Sequence, residues 1–180
     1  MNVKLWAGSL LLILAGCASA PPPAAPARLN LKLAPAALGE TISLQQHLTV
    51  ERNGRIDELD AAIEIDDKRV DLVGLAFGQR VLTLHYDGKA LTTWRHVMLP
   101  AQVRADDVLE DMQLALWPVE AVAAGLPAGW RVEESGLLRR LYLNDELVTT
   151  IAYSAKPRWN GIIKMNNLRY NYRLTIESAQ

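Results

Sequence analysis

The alternation of apolar and polar side chains from Thr41 onward limits this chain to a β-rich fold. Ile42, Leu44, Leu48 and Val50 fall on one side of an extended backbone, and Ser43, Gln45, His47, Thr49 and Glu51 on the other. A period of two belongs to a strand buried on one face only. Asn53-Gly54 follows, and both residues accept the positive φ that a two-residue hairpin needs. Leu59, Ala61, Ile63 and Ile65 then return against Glu58, Asp60, Glu64 and Asp66. Turns at Asp66-Asp67-Lys68, Gly78-Gln79 and Asp87-Gly88 separate runs over Arg69–Phe77, Val81–Tyr86 and Ala90–Arg95. Five strands joined by tight turns predict an antiparallel meander.

The period changes after Pro100. Val108, Leu109, Met112 and Leu116 recur at helical spacing, with Asp106, Asp107 and Glu110 early, where the helix dipole favours anions. Pro118 ends this helix or starts the next, and Glu120–Ala124 forms a short second helix stopped at Gly125. Strands resume at Trp130. Runs over Leu137–Asn144, Glu146–Ser154, Trp159–Asn166 and Leu168–Glu177 turn at Asn144-Asp145 and Asn166-Asn167. In the last run Leu168, Tyr170, Tyr172, Leu174 and Ile176 face one way. The stretch Leu29–Gly39 stays open between a strand, from Leu29, Leu31 and Leu33, and a helical turn at Pro35–Leu38. The fold class is α+β: a large curved antiparallel sheet, shaped as a half-open barrel, with a short helical lid inserted between two strand meanders. Roughly ten strands in one open sheet must curl under their own twist.

The beginning of the chain reads as an export signal. Lys4 supplies positive charge, Leu10–Leu14 a short apolar run, and Ala15-Gly16 small residues at a cleavage point. The run is shorter than the roughly 20 residues that cross a bilayer. Leu14-Ala15-Gly16-Cys17 fits the bacterial lipobox, in which the Cys thiol is acylated before cleavage. Cys17 is the only cysteine, so an internal disulfide is impossible and acylation gives the odd thiol a role. The expected organisation is a signal peptide over 1–16, a lipidated Cys17 with a proline-rich tether over 17–28, and one domain over 29–180. Two or more acyl chains on Cys17 anchor a protein stably to a membrane. Lipoproteins kept at an inner membrane commonly carry Asp after the lipidated Cys; Ala18 stands here, which points to the outer membrane, facing the periplasm, and to the lipoprotein sorting machinery as a partner. Once Lys4 is removed, 18 basic residues stand against 20 acidic ones, which leaves no electrostatic footprint for nucleic acid.

Chemistry-bearing motifs are sparse. His47, His85 and His96 lie on strands without metal-ligand spacing and read as surface histidines. No Gly-x-Ser-x-Gly and no phosphate-binding glycine loop occurs. Asp66-Asp67, Asp106-Asp107 and Glu133-Glu134 read as solvated charge. The expectation is therefore no catalytic residue, no metal and no cofactor. The apolar face says more. Leu, Ile and Val dominate over a single Phe, and only two short helices cover them. Such an interior suits an acyl chain, with Leu44, Leu48, Ile63, Leu82, Leu84, Met112, Leu116, Trp117, Tyr170 and Tyr172 as candidate cavity lining. The plainer and commoner alternative is a packed core. Gly74–Gly78 is wholly apolar at a turn, so Leu75 and Phe77 are a candidate tip for a membrane or cargo; the alternative is the end of a buried strand. Trp94, Trp117, Trp130 and Trp159 stand at element ends and suit core edges or cavity mouths.

The order of lipobox, five-strand meander, helical lid and second meander resembles the LolA/LolB-type lipoprotein carriers. Leu114-Ala115-Leu116-Trp117-Pro118 and Tyr170-x-Tyr172-x-Leu174-x-Ile176 also resemble an uncharacterised family of small outer-membrane lipoproteins, often encoded among aryl polyene and fatty-acid-synthase-like genes. The resemblance implies an apolar cavity that holds acyl chains such as palmitate or a polyene product, and an apolar loop tip, matched by Leu75 with Phe77, that delivers cargo to the membrane. A structural or assembly lipoprotein that scaffolds an envelope partner is the alternative function.

Overall fold

The computed structural model describes residues 28–179. Cys17, the expected signal peptide and all but the last residue of the expected tether lie outside the described residues. Ten strands form one antiparallel sheet: β1 (Ile42–Arg52), β2 (Arg55–Ile65), β3 (Val70–Ala76), β4 (Gln79–Tyr86), β5 (Leu91–Arg95), β6 (Trp130–Ser135), β7 (Leu138–Leu143), β8 (Glu146–Tyr153), β9 (Ile162–Asn167) and β10 (Tyr172–Ser178). Their order is β5-β4-β3-β2-β1-β10-β9-β8-β7-β6, so every hairpin joins neighbours and the two meanders meet at the β1–β10 seam. The sheet does not close: β5 and β6 are its edges. The chain crosses between them through α1 (Ala105–Leu116) and α2 (Val119–Gly125), which makes the helices a lid inserted between the meanders. No helix among the described residues is long and apolar enough to cross a membrane.

Strand faces follow the alternation. Ala61, Ile63 and Ile65 of β2, with Val70 and Leu72 of β3, are buried, while Glu58, Asp60 and Glu64 are exposed. The inner face packs on Leu109, Met112, Leu114, Ala115 and Leu116 of α1.

Residues 28–34, ambiguous in the sequence, form neither strand nor helix. They run as a strap along α1, with Leu29, Leu31 and Leu33 buried. A strap with no strand neighbour must satisfy its backbone by other means. Gln113 does this: its amide accepts the Leu33 N–H at 2.9 Å and donates to the Leu33 C=O at 3.0 Å. The Trp117 indole N–H donates to the Ala34 C=O at 3.1 Å, and Arg28 and Lys32 pair with Asp107 and Asp106. A 3₁₀ turn at Pro35–Leu38 then redirects the chain into β1.

The far end of α1 has no basic residue in its last turn. Its terminal carbonyls are satisfied from the sheet: buried Arg139 donates to the Leu114 C=O, and the Tyr153 hydroxyl donates to the Ala115 C=O at 2.8 Å. Glu134 holds Arg139 through its guanidinium at 2.6 Å and also pairs with Arg158 at 3.0 Å.

Two turns differ from the sequence expectation. The β3–β4 turn is Phe77-Gly78, with φ of 51° and 72°, and not Gly78-Gln79. The β9–β10 turn is Leu168–Asn171, and not Asn166-Asn167. The Asn167 side chain causes the second shift. Its Oδ1 accepts the Tyr170 N–H at 3.0 Å and its Nδ2 donates to the Tyr172 hydroxyl at 3.1 Å, so it closes the turn from its own strand. Leu168 is consequently half-exposed at the turn and does not share the inward face of Tyr172, Leu174 and Ile176.

Candidate functional site

A cavity of about 170 Å³ lies between α1 and the half of the sheet formed by β4, β3, β2, β1 and β10. Its helix wall is the stripe Val108, Asp111, Met112, Ala115 and Leu116, spaced so that all face the sheet. Leu48 and Val50 of β1, Ile63 of β2, Leu82 of β4 and Leu174 of β10 supply much of the opposite wall. The space exists because the inward positions carry little volume at its centre. Ala61 and Gly74 are register partners across β2 and β3, and Ala115 is the small residue of the helix stripe. The exposed Gln102 and Arg104, just ahead of α1, line the outer part of the cavity.

One end of this apolar space is polar. The Tyr172 hydroxyl donates to Asp111 Oδ2 at 2.5 Å. The Arg52 guanidinium lies 5.3 Å from the Tyr172 ring centroid and donates to the Tyr170 C=O at 3.3 Å. Burial pushes the Asp111 carboxyl from 3.8 up to about 7; the nearby Glu110 and Asp107 add to this, while the Tyr172 hydrogen bond and the Arg52 charge oppose it. What exposure Asp111 keeps is at the wall of this cavity. Burial, then the Asp111 charge, push the Tyr172 hydroxyl far above its ordinary range. Glu110 is also raised, chiefly by burial and against the backbone N–H groups of Leu31 and Asn30 on the strap. The arrangement offers an apolar slot that ends in a fixed cation, a phenol and a carboxyl close to half-protonated at neutral pH. A carboxyl in that state can donate or accept a hydrogen bond.

Six of the ten residues expected to line a cavity do so: Leu48, Ile63, Leu82, Met112, Leu116 and Tyr172. The other four stand elsewhere. Leu84 is fully buried deeper in β4. Trp117 is fully buried beyond the end of α1, where its ring supports the strap. Leu44 packs at the edge of the main core. Tyr170 is lifted out of β10 by the four-residue turn, and the Arg28 and Arg169 guanidiniums lie 5.4 and 5.7 Å from its ring centroid. Asp111 and Arg52 were not among the candidates. The available signal was an acid on the apolar stripe of the helix, three residues after Val108 and beside Met112.

Leu75 and Phe77 separate in the structure. Leu75 is half-buried within β3, and Phe77 stands 96% exposed at the hairpin tip. His47 and His85 lie on the outer sheet face, bonded to Asp60 at 2.9 Å and Asp71 at 2.7 Å. Among the described residues no group of three or more His, Cys, Asp or Glu is placed to hold a metal ion. Of the tryptophans, Trp94 is partly exposed under the Arg80 guanidinium, and Trp130 and Trp159 pack against the core from its edge.

The family DUF3261, described as proteins of unknown function, matches residues 43–180. No curated protein matches the chain.

Proposed function

The chain belongs to the DUF3261 family, and we propose that it is an outer-membrane lipoprotein, anchored through Cys17 and facing the periplasm, that binds or passes on a hydrophobic or acylated ligand. The observation that carries this reading is the cavity under α1, walled by aliphatic side chains and polar at one end. Its volume bears on the ligand. An apolar cavity of roughly 150 Å³ takes up benzene, and sites for whole drug-sized molecules run from roughly 300 Å³. A space of about 170 Å³ therefore suits part of one apolar chain, with the rest of the ligand outside. The resemblance in plan to the LolA/LolB-type carriers, and the lipobox residues Leu14-Ala15-Gly16-Cys17, support the same reading. A polyene or acyl product of fatty-acid-synthase-like enzymes is the ligand class that the resemblance favours.

Native mass spectrometry of the domain secreted to the periplasm, with Cys17 replaced by Ala, tests the proposal. The expected result is a discrete adduct that denaturing extraction releases as an acyl or polyene lipid. Narrowing the cavity by Ala61→Leu with Ala115→Leu should remove the adduct while the fold persists. A clean apo mass, together with failure to take up added palmitate, refutes the carrier and leaves a scaffold for an envelope partner.

A further inference from the structure

At the edge of the sheet, β5 breaks the apolar alternation of its neighbour. Tyr86, Leu84 and Leu82 of β4 are buried, and their register partners on β5 are Leu91, Thr93 and Arg95. The inner face of β5 therefore carries a hydroxyl and a guanidinium opposite two leucines of β4. The slot under α1 is walled by β4, β3, β2, β1 and β10, and β5 lies beyond it, with Thr93 and Arg95 exposed. A second space of about 340 Å³ lies there, between β5, the start of α1 and Lys32 of the strap.

The charges on the wall of this second space are Lys32, Arg95, Arg104 and Asp106. Lys32 and Asp106 pair at 3.3 Å and offset one another. Arg95 donates from Nη2 to the Leu99 C=O at 2.9 Å and to the Pro100 C=O at 3.0 Å, which fixes its guanidinium beside the space. Among the described residues its Nε and Nη1 have no partner, and neither does the guanidinium of Arg104. The wall thus holds two cations in excess.

Leu82, Val103 and Arg104 line this space and the apolar slot alike, so the two meet there. From that junction the slot runs under α1 toward Asp111, which lies seven residues and about 10 Å of helix beyond Arg104. An apolar cavity of roughly 150 Å³ takes up benzene, so the slot, at about 170 Å³, takes roughly six to eight carbons of a chain. The two ends of the slot differ in charge. At the far end one cation, Arg52, stands by the Asp111 carboxyl, with Glu110 and Asp107 close by. An anion is therefore held better at the β5 end.

We infer that the two spaces are one site for a single-chain amphiphile with an anionic head. The chain lies in the slot, and the head, a carboxylate or a phosphate, accepts hydrogen bonds from Arg95, Arg104 and the Thr93 hydroxyl at the edge of the sheet. The planar fork of donors on arginine matches the oxygens of either head. A neutral head leaves both cations unmatched, and a cationic head is repelled by them. The inference rests on the reading of the slot as a site for an apolar chain; what it adds is the head and the place that holds it.

Four eight-carbon probes test it: octanoate, octyl phosphate, octanol and octylamine. Each is titrated into the chain exported with Cys17→Ala and isotope-labelled for amide and methionine-methyl spectra. The Met112 methyl reads the slot, and the amides of Thr93, Arg95 and Arg104 read the head. The expected result is that both anions move the two sets of signals together and bind about tenfold tighter than octanol, with octylamine weaker still. The tighter of the two anions identifies the head, and added salt should narrow their lead over octanol. Arg104→Gln, at an exposed side chain, should weaken octanoate by about fivefold and leave octanol unchanged. Ala61→Leu with Ala115→Leu should remove both. Octanoate and octanol that bind alike, an Arg104→Gln variant that binds octanoate as well as the parent, or head signals that move without Met112 overturn the inference. In the first two cases chain binding persists and the carrier reading stands. If none of the four probes binds, the carrier reading fails and the inference fails with it.

Discussion

Replacing Asp111 by Asn should stabilise the protein in proportion to pH. The native carboxyl titrates near pH 7, against 3.8 for an ordinary aspartate, because burial disfavours its charge. In the window between these values the folded chain holds a proton that the unfolded chain has released. Its contribution to stability is therefore full at low pH, falls as the pH rises through the window, and levels off above about 7. At 1.36 kcal/mol per pH unit, the loss across the window is about 4 kcal/mol as a ceiling, reduced by any water in the cavity. Asparagine keeps the shape of the protonated acid and can still accept from the Tyr172 hydroxyl. The variant and the parent should thus unfold alike at pH 4, and the variant should lead by about 2 to 4 kcal/mol at pH 8. Urea unfolding followed by tryptophan fluorescence at pH 4, 6 and 8 reads this, and taking the difference between the two proteins cancels the other titrating groups. A stability gap that does not change with pH, or a variant weaker than the parent at pH 8, would refute the burial argument.

Three other outcomes are expected. Phe77→Asn, which creates an Asn-Gly turn at the positive φ that Phe now occupies, should raise stability by about 0.5 to 1 kcal/mol in thermal or urea unfolding; a destabilised variant would mean that Phe77 packs on something. Gln113→Ala strips both hydrogen-bond partners from the Leu33 backbone and should cost about 2 to 4 kcal/mol, with faster amide exchange confined first to residues 29–34; exchange that stays slow there would show that the buried leucines alone hold the strap. Arg139→Met should cost about 3 kcal/mol in urea unfolding, because the Leu114 carbonyl loses its donor and Glu134 loses one of two cations; a neutral result would mean that Arg158 alone compensates Glu134.

The sheet was legible because its signal is local. The long strands such as β1 and β2 declare themselves by period two, and Asn53-Gly54, Asp87-Gly88 and Asn144-Asp145 mark turns within a few residues of the strands they join. The helices were legible for the same reason, at period 3.6. What stayed hidden depends on side chains meeting across long stretches of chain. Gln113 looks like an ordinary polar residue of a helix until the strap, 80 residues earlier, is laid beside it. Arg139 caps a helix that ended more than 20 residues before it. Tyr170 was misplaced because Asn167 bonds locally, which lengthens the turn and breaks the alternation that seemed to carry Tyr170 inward. The cavity itself follows from absences, at Ala61, Gly74 and Ala115, and small residues carry no periodic signature of their own. Asp111 could have been noticed as an acid on an apolar stripe, but the same pattern also describes a charge at the edge of a helix face.

The seam between the first and last strands has a kinetic consequence. Each meander closes through neighbouring hairpins, so its contacts are short-range and can form quickly. The seam joins Arg52 to Tyr172, about 120 residues apart, and is the slowest pairing to find. Until β10 has been made, the seven residues Gln46 to Arg52 of β1 are an open edge in the middle of the future sheet, able to pair with another chain. During synthesis this edge is exposed longest, so slow completion of the chain or damage within β10 should show first as aggregation seeded by β1, and only later as loss of the cavity.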